Sequence, residues 1–281
     1  MSVRPLAQGA PASRQPDSAP DRTFTVSIIS HGQGDYCTLL LADLARHSSA
    51  ALARVVLTLN VPEVLRLDPS LPFEVEVLRN DRPKGFGANH NQAFRFCRTP
   101  LFAVLNPDLR LAGNPFPALA RSLADPLTGL AAPVVREVDG TVADFVRPLV
   151  TPWEVVRRRF GKAAARIDLP PDWIAGMFLA FRGETYARLG GFDERYFLYC
   201  EDVDICARAR LQGLALRVAG DAAVTHQAQR ASHRSWRRLQ LHVASLLRLW
   251  TSPAYRHYRE LLRSAPAAAP DPGAGGTLPR P

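Results

Sequence analysis

The feature that most limits what this chain can become is an alternation of short β-branched runs with helical segments. Phe24–Ser30 reads FTVSIIS and Arg54–Asn60 reads RVVLTLN. Glu74–Arg79, EVEVLR, alternates cleanly, and Leu101–Asn106, LFAVLN, stops at Pro107. Runs of this kind, bounded by turn residues, form strands. Tyr36–Arg46, with Leu39, Leu40 and Leu44 at helical spacing, separates the first two. A glycine-containing loop and a helix over Asn89–Cys97 separate the third from the fourth. This β-α-β-β-α-β order predicts an α/β fold with a mainly parallel central sheet flanked by helices. Ligands of such sheets bind beyond the carboxyl ends of the strands, so the residues just after each run carry the most functional interest.

The second half is less regular. Trp173–Phe181, WIAGMFLAF, reads as one buried strand, Cys200–Leu211 as a helix, and Leu214–Val218 and Ala222–His226 as two short strands. Residues 1–22 and 264–281 hold nine of the 24 prolines and little apolar surface, so both are expected to be disordered tails. Between them, 23–263 reads as a single domain. At 281 residues, 47% hydrophobic and 22% charged, the chain has a globular composition, which excludes a fibrous or wholly disordered protein. No apolar run reaches the about 18 residues of a membrane span, and no secretory signal is evident. Cys37, Cys97, Cys200 and Cys206 form no CxxC pair and read as small buried hydrophobes. The expected location is cytoplasmic, with peripheral contact at the inner face of the membrane as an option.

The net charge of +9 is concentrated. Arg230 to Arg263 contains eight arginines, no lysine and one acid, Glu260, which amounts to +7. Trp236, Leu239, Val243, Leu246, Leu247 and Trp250 are interleaved three or four apart, giving a helix with one apolar stripe. Such a stripe packs on its own domain or, edged by tryptophan and arginine, lies on an anionic membrane. A diphosphate-linked acceptor is another anionic partner for this segment. No RNA-binding signature is present, and no nucleic acid partner is expected.

Four constellations sit where chemistry is expected. Asn106-Pro107-Asp108 follows an apolar strand, where a carboxylate suits a hard cation on a phosphate; the same residues also make an ordinary turn. Asp193, Glu194, Glu201, Asp202 and Asp204 place five acids within twelve residues in an aromatic setting. Aromatic walls raise a carboxylate toward a useful base, whereas acids at a helix start also serve its dipole, and Asp204 with Arg208 makes a plain i, i+4 pair. Lys84-Gly85-Phe86-Gly87-Ala88-Asn89 enters a helix and lets backbone approach a ligand, although it is neither a P-loop nor a dinucleotide fingerprint. His226 ends a short strand, where histidine is either structural or a ligand; His31 is read in the same way.

In order, these pieces resemble the family-2 glycosyltransferases of the GT-A type, especially the bacterial rhamnosyltransferase-like branch. The resemblance runs from VSIIS at Val26 through Asn80 to Phe94, Leu105 to Asp108, Trp173 to Phe178 and Gly190 to Arg208 to the VTHQ segment, about residues 24–250. It implies a Rossmann-like GT-A domain over 23–263, with the arginine-rich helices at 230–263 closing it. Asp108 matches the last acid of the metal-binding motif, with Asn106 standing where many members carry an acid, and His226 matches a position that completes the metal site with Mg²⁺ or Mn²⁺. Asp202 matches the catalytic base, Trp173 and Gly176 the acceptor-side strand, and Glu201 joins them on that side. Ser30, Asn60, Gly85, Asn89, Asn106 and Asp108 fall on the donor side. Asn60 stands near the strand-end acid that touches the nucleotide base, in a segment reading LTLNVPE, with Glu63 as the candidate substitute.

The resemblance implies an inverting transfer of a sugar, a deoxyhexose such as rhamnose, from a nucleotide-diphosphate donor to a glycan or lipid-linked acceptor. A sugar-phosphate nucleotidyltransferase is the alternative enzyme. Such enzymes carry a basic loop after the first strand, and Ser30–Asp35 has no basic group other than His31. A non-catalytic basic binder of lipid or nucleic acid would leave the acidic block unexplained.

Overall fold

The computed structural model describes residues 22–160, 170–227 and 236–264, without the side chains of 158–160. The tails expected to be disordered therefore lie outside the described residues except for Arg22 and Ser264, as do Arg230 and Arg234. The elements run β1 (Phe24–Ser30), α1 (Gly34–Ser48), β2 (Leu52–Leu59), β3 (Glu74–Arg79), α2 (Phe86–Phe94), β4 (Leu101–Leu105) and β5 (Leu109–Arg110). They continue with α3 (Phe116–Ala124), β6 (Thr128–Glu137), β7 (Val146–Arg147), α4 (Pro152–Phe160), β8 (Trp173–Ile174) and β9 (Phe178–Arg182). Last come α5 (Gly183–Arg188), α6 (Glu201–Leu211), β10 (Ala215–His226), α7 (Trp236–Thr251) and α8 (Pro253–Ser264).

Eight strands form one sheet in the order β3-β2-β1-β4-β9-β6-β10-β5, and β7 pairs with β8 in a small separate ribbon. The sheet is mainly parallel; β9 runs against β4 and β6, and β5 runs against β10. Helices flank it, as the α/β order predicts. β1, β2 and β4 are mostly apolar and almost wholly buried because the inner strands of a parallel sheet are covered on both faces. β3 is an edge, and its Glu74 closes an ion pair with Arg54 of β2 at 2.7 Å.

Three expectations need correction. In α1 the inward residues are Cys37, Leu40, Leu41 and Leu44, whereas Leu39 is 45% exposed. Trp173–Phe181 is not one strand: the chain breaks between Ile174 and Phe178. Conversely, Leu214–Val218 and Ala222–His226 belong to one long strand, β10, whose pairing with β6 shifts register between Ala219 and Ala223.

The glycine loop before α2 packs on protein rather than standing open. A Cβ on Gly85 would lie 2.8 Å from the Phe197 carbonyl oxygen, and one on Gly87 would lie 2.6 Å from the Phe192 Cβ. The two glycines thus let α2 press against the segment preceding α6. Asn91 fastens the same contact: its Nδ2 donates to the Phe192 carbonyl at 2.8 Å, and its Oδ1 accepts from the Phe192 N–H at 2.9 Å. Gly87→Ala is expected to overpack this contact by about 1–3 kcal/mol. Thermal denaturation should show a clear loss of Tm, whereas Gly113→Ala, whose new methyl meets nothing within 4 Å, should leave Tm nearly unchanged.

Candidate active site

The carboxyl ends of β1, β2, β3, β4, β6 and β10 lie along one edge of the sheet, because these six strands share a direction. Ser30, Asn60, Asn80, Asn106, Glu137 and His226 stand at those ends. β9 enters from the same edge, so the Trp173–Met177 segment before it arrives there too.

At the ends of β2 and β3, Asn60 and the α2 residue Asn89 are buried and clamp the backbone at Lys84. Asn60 Oδ1 accepts from the Lys84 N–H at 2.8 Å, and its Nδ2 donates to the Lys84 carbonyl at 2.9 Å. Asn80 Nδ2 bridges Asn60 Oδ1 at 2.8 Å and Asn89 Oδ1 at 2.7 Å. Both predicted residues therefore act on the edge by shaping the Lys84–Gly85 loop. Ser30 is also buried, and its Oγ accepts from the Gln33 N–H at 3.1 Å, turning the chain into α1. Glu63 Oε1 accepts from the Gly32 N–H at 3.2 Å and helps line a cleft of about 190 Å³ with Gln33, Asp35 and Tyr36. Asn60 Nδ2 lies 3.2 Å from His31 Nδ1, so His31 joins this corner.

Asn106-Pro107-Asp108 is a turn, closed by the Leu109 N–H on the Asn106 carbonyl at 3.4 Å, and it delivers Asp108 to His226. The β5–β10 register sets Leu109 opposite His226, and the Gln227 N–H donates to the Asp108 carbonyl at 2.8 Å. Asp108 Oδ2 lies 3.4 Å from His226 Nε2, and Glu137 Oε2 lies 3.6 Å from Nδ1 on the other side of the ring. The Asp108 carboxylate raises the His226 pKa, with burial pulling the other way. Asp108 Oδ1 is buried with no hydrogen-bond partner. Among the described residues no group of three or more His, Cys, Asp or Glu is arranged to hold a metal. One free carboxylate oxygen beside an imidazole does fit an ion that takes its other ligands from water and donor phosphates.

Asp202 opens α6 and is partly buried. Its Oδ2 accepts from the Gly176 N–H at 3.0 Å, and its Oδ1 accepts from the Val203 N–H at 2.9 Å. The structure thus brings Gly176 and Asp202 into contact. Asp108 is joined to them through the Asn106 N–H, which donates to the Met177 carbonyl at 2.9 Å, one residue beyond Gly176. Burial raises the Asp202 pKa, while the two N–H groups and the nearby Arg147 guanidinium lower it. Glu201 is 5% exposed, its Oε2 has no partner, and burial followed by the Asp202 charge holds its pKa well above the usual range. Burial thus pushes both adjacent carboxyls up, and on Asp202 it is opposed by the two N–H donors and the Arg147 charge. Asp204 serves structure, through a 2.7 Å ion pair with Arg208.

Residues 58–183 match the family profile described as glycosyl transferase family 2. Over that segment, somewhat under half of the chain, the sequence resembles this family. It is 24% identical to the rhamnosyltransferase WbbL of Escherichia coli K12, over 68% of this chain and 78% of that one. It is 28% identical to the N-acetylglucosaminyl-diphospho-decaprenol L-rhamnosyltransferase of Mycobacterium tuberculosis, over 44% of this chain and 45% of that protein. The fold superimposes on a crystal structure of GalNAc-T7 with UDP, GalNAc and Mn²⁺ at a TM-score of 0.60, with 19% identity, covering 87% of this chain and 51% of that one. It also matches the mannosyltransferase PcManGT of Pyrobaculum calidifontis, in complex with GDP-Man and Mn²⁺, at a TM-score of 0.55, with 16% identity, covering 91% of this chain and 80% of that one. This is the GT-A architecture that the motif order implies.

The candidate site also includes residues not expected there from sequence. Arg147 sits 5.0 Å over the ring of Trp173, its partner across the β7–β8 ribbon, and its charge acts on Asp202. Trp173 is itself buried, so among the described contacts it reaches the site through Arg147. His242 of α7 stacks against Tyr199 at 4.9 Å between ring centroids, and its pKa is lowered by burial and by Arg147. Tyr199 and Cys200 hold left-handed φ values of 73° and 69°, a conformation costly for non-glycine residues, immediately before Glu201. No motif spacing signals any of these. A larger cavity, about 660 Å³, opens at the opposite edge beside Thr23, Leu101 and Arg182 and holds none of the predicted site residues.

The Glu201 assignment predicts a signed pH effect. A carboxyl whose pKa is raised by folding is more protonated folded than unfolded, so its contribution to stability falls as pH rises above the unfolded value. Glu201→Gln keeps the shape and removes the titration. The variant should gain stability relative to the parent as pH rises from 4 to 8, measured by denaturant titration at each pH.

Proposed function

We propose that this glycosyltransferase is inverting and transfers a deoxyhexose such as rhamnose from a nucleotide-diphosphate donor to a glycan or lipid-linked acceptor, in the assembly of a polysaccharide. Residues 23–263 would act as one cytoplasmic catalytic unit. The observation that carries the proposal is the Asp202 carboxylate, held by the Gly176 N–H on the same strand edge as the Asp108–His226 corner. The rhamnosyltransferase names of two relatives support the sugar.

In this mechanism Asp202 accepts the proton of an acceptor hydroxyl while that oxygen bonds to the anomeric carbon and the bond to the nucleoside diphosphate breaks. The Gly176 and Val203 N–H groups and the Arg147 charge favour the carboxylate form of Asp202 against its burial. The Gly176 N–H fixes the orientation of the carboxylate; Gly176 borders the acceptor, with the buried Trp173 behind it supporting Arg147, and the Lys84–Gly85 loop with Ser30 and Asn60 shapes the donor side. Asp108 and His226 would hold Mg²⁺ or Mn²⁺, which when bound neutralises the diphosphate leaving group as a Lewis acid. Glu137, beyond His226, would orient its ring.

Asp202→Asn is expected to lose about 10²–10⁴-fold in transfer, the range of general-base catalysis, while a nucleoside diphosphate still raises Tm. Near-normal turnover in this variant would remove Asp202 from its role. Arg147→Gln withdraws a charge that lowers the Asp202 pKa. The acid limb of the kcat–pH profile should therefore move to higher pH, which a rate series from pH 5 to 9 would show.

A further inference from the structure

α7 does not bury its whole apolar stripe. Leu246 and Leu249 face the core, and the helix is fixed in that orientation by two side-chain bonds. Ser245 Oγ donates to the Leu198 carbonyl at 2.8 Å, and Trp250 Nε1 donates to the Val150 carbonyl at 2.8 Å. Trp236, Leu239, Val243 and Leu247, three or four residues apart and hence on one face, are instead 72%, 52%, 48% and 57% exposed. Arg237 and Arg248 are exposed beside this face, and α7 contains no acid. Across α7 and α8 six exposed arginines accompany a single acid, Glu260.

We propose that this face of α7 docks the protein on an anionic bilayer, with the apolar stripe in the headgroup boundary and the flanking arginines on lipid phosphates. A tryptophan-edged apolar stripe beside arginines has the character of an interfacial helix. At 16 residues, about 24 Å, α7 is too short and too charged to span, and no described helix is long and apolar enough to cross a membrane. A second copy seated here would set arginines against arginines without an acid on either α7 to answer them. The other flank of the same helix carries His242 to Tyr199, two residues before Glu201. Docking would thus hold the acceptor side of the cleft at the lipid surface. That consequence rests on the lipid-linked acceptor of the proposed function; the docking itself does not.

The test is flotation of the full chain with vesicles of phosphatidylcholine alone or with about one-third phosphatidylglycerol. Binding is expected only to the anionic vesicles, weakening with salt. Arg237→Glu and Arg248→Glu should each weaken binding by about fivefold or more, from the roughly 1 kcal/mol each basic residue contributes near such a surface. The triple variant Trp236→Ser, Leu239→Ser, Leu247→Ser, with Tm confirmed, should abolish binding and retain transfer to a soluble acceptor analogue. Failure of the parent chain to float, unchanged flotation of the triple variant, or a dimer in analytical ultracentrifugation that the triple variant dissociates would each overturn the proposal. Flotation without any glycosyl transfer would leave docking standing and count against the proposed function instead.

Discussion

The Gly176 N–H is free to hold Asp202 because an antiparallel ladder ends one residue earlier. β4 and β9 pair from Leu101↔Arg182 to Leu105↔Phe178, and the Asn106 N–H adds a last bond to the Met177 carbonyl. The chain then tightens, with the Met177 N–H donating to the Ala175 carbonyl at 2.8 Å. A buried backbone donor must find a partner, and here the partner is the Asp202 carboxylate. Had Trp173–Phe181 formed one unbroken strand, that donor would have been spent on a neighbouring strand, leaving Asp202 with only the Val203 N–H. The packing here is ordinary: a Cβ at residue 176 would lie in van der Waals contact, 3.5 Å from the Asp202 Cβ and 3.5 Å from the Phe86 ring.

The parallel half of the sheet was legible because burial on both faces forces continuous β-branched runs, and β1 and β3 have the predicted boundaries. The position of the candidate residues followed from the same fact, since parallel strands deliver their ends to one edge. β6 was not legible. Its run, TGLAAPVVRE, carries Pro133, which lacks the N–H a central strand normally donates. The strand tolerates it because β6 meets β9 only near Ala131↔Ala180, so little ladder is lost on that side. Arg147 was invisible for a different reason: it reaches Asp202 only after a two-residue ribbon sets it beside Trp173. Contacts between residues far apart in sequence, made by elements this short, leave no periodicity.

The glycine motif before α2 shows how a correct placement can carry a different physical role. Glycine permits close approach, and the sequence does not specify of what. Here the approaching group is the 192–197 backbone, locked by Asn91, while three buried asparagines hold Lys84 from behind. The Asn91 bonds tie α2 to the segment that leads into Glu201, and the other asparagine bonds tie the Lys84–Gly85 loop to the ends of β2 and β3. Segments about a hundred residues apart in sequence are thereby joined.

The same convergence resolves Asn106-Pro107-Asp108, which from sequence reads equally as a turn and as a cation site. It is a turn, and the turn brings Asp108 to His226. Proline at the second position removes an N–H that the i to i+3 closure does not need, and it presets the backbone for the reversal. The Asn106 N–H is committed to Met177 and its carbonyl to Leu109, so its backbone works entirely in positioning. An acid at 106 would add a second charge next to Asp108, whose Oδ1 already lacks a partner. With asparagine there, the turn sets a single carboxylate, Asp108, against one nitrogen of the His226 ring, whose other nitrogen faces Glu137. The same three residues thus close the turn and set a carboxylate against the neighbouring strand, because a sheet edge offers few positions from which a carboxylate can do both.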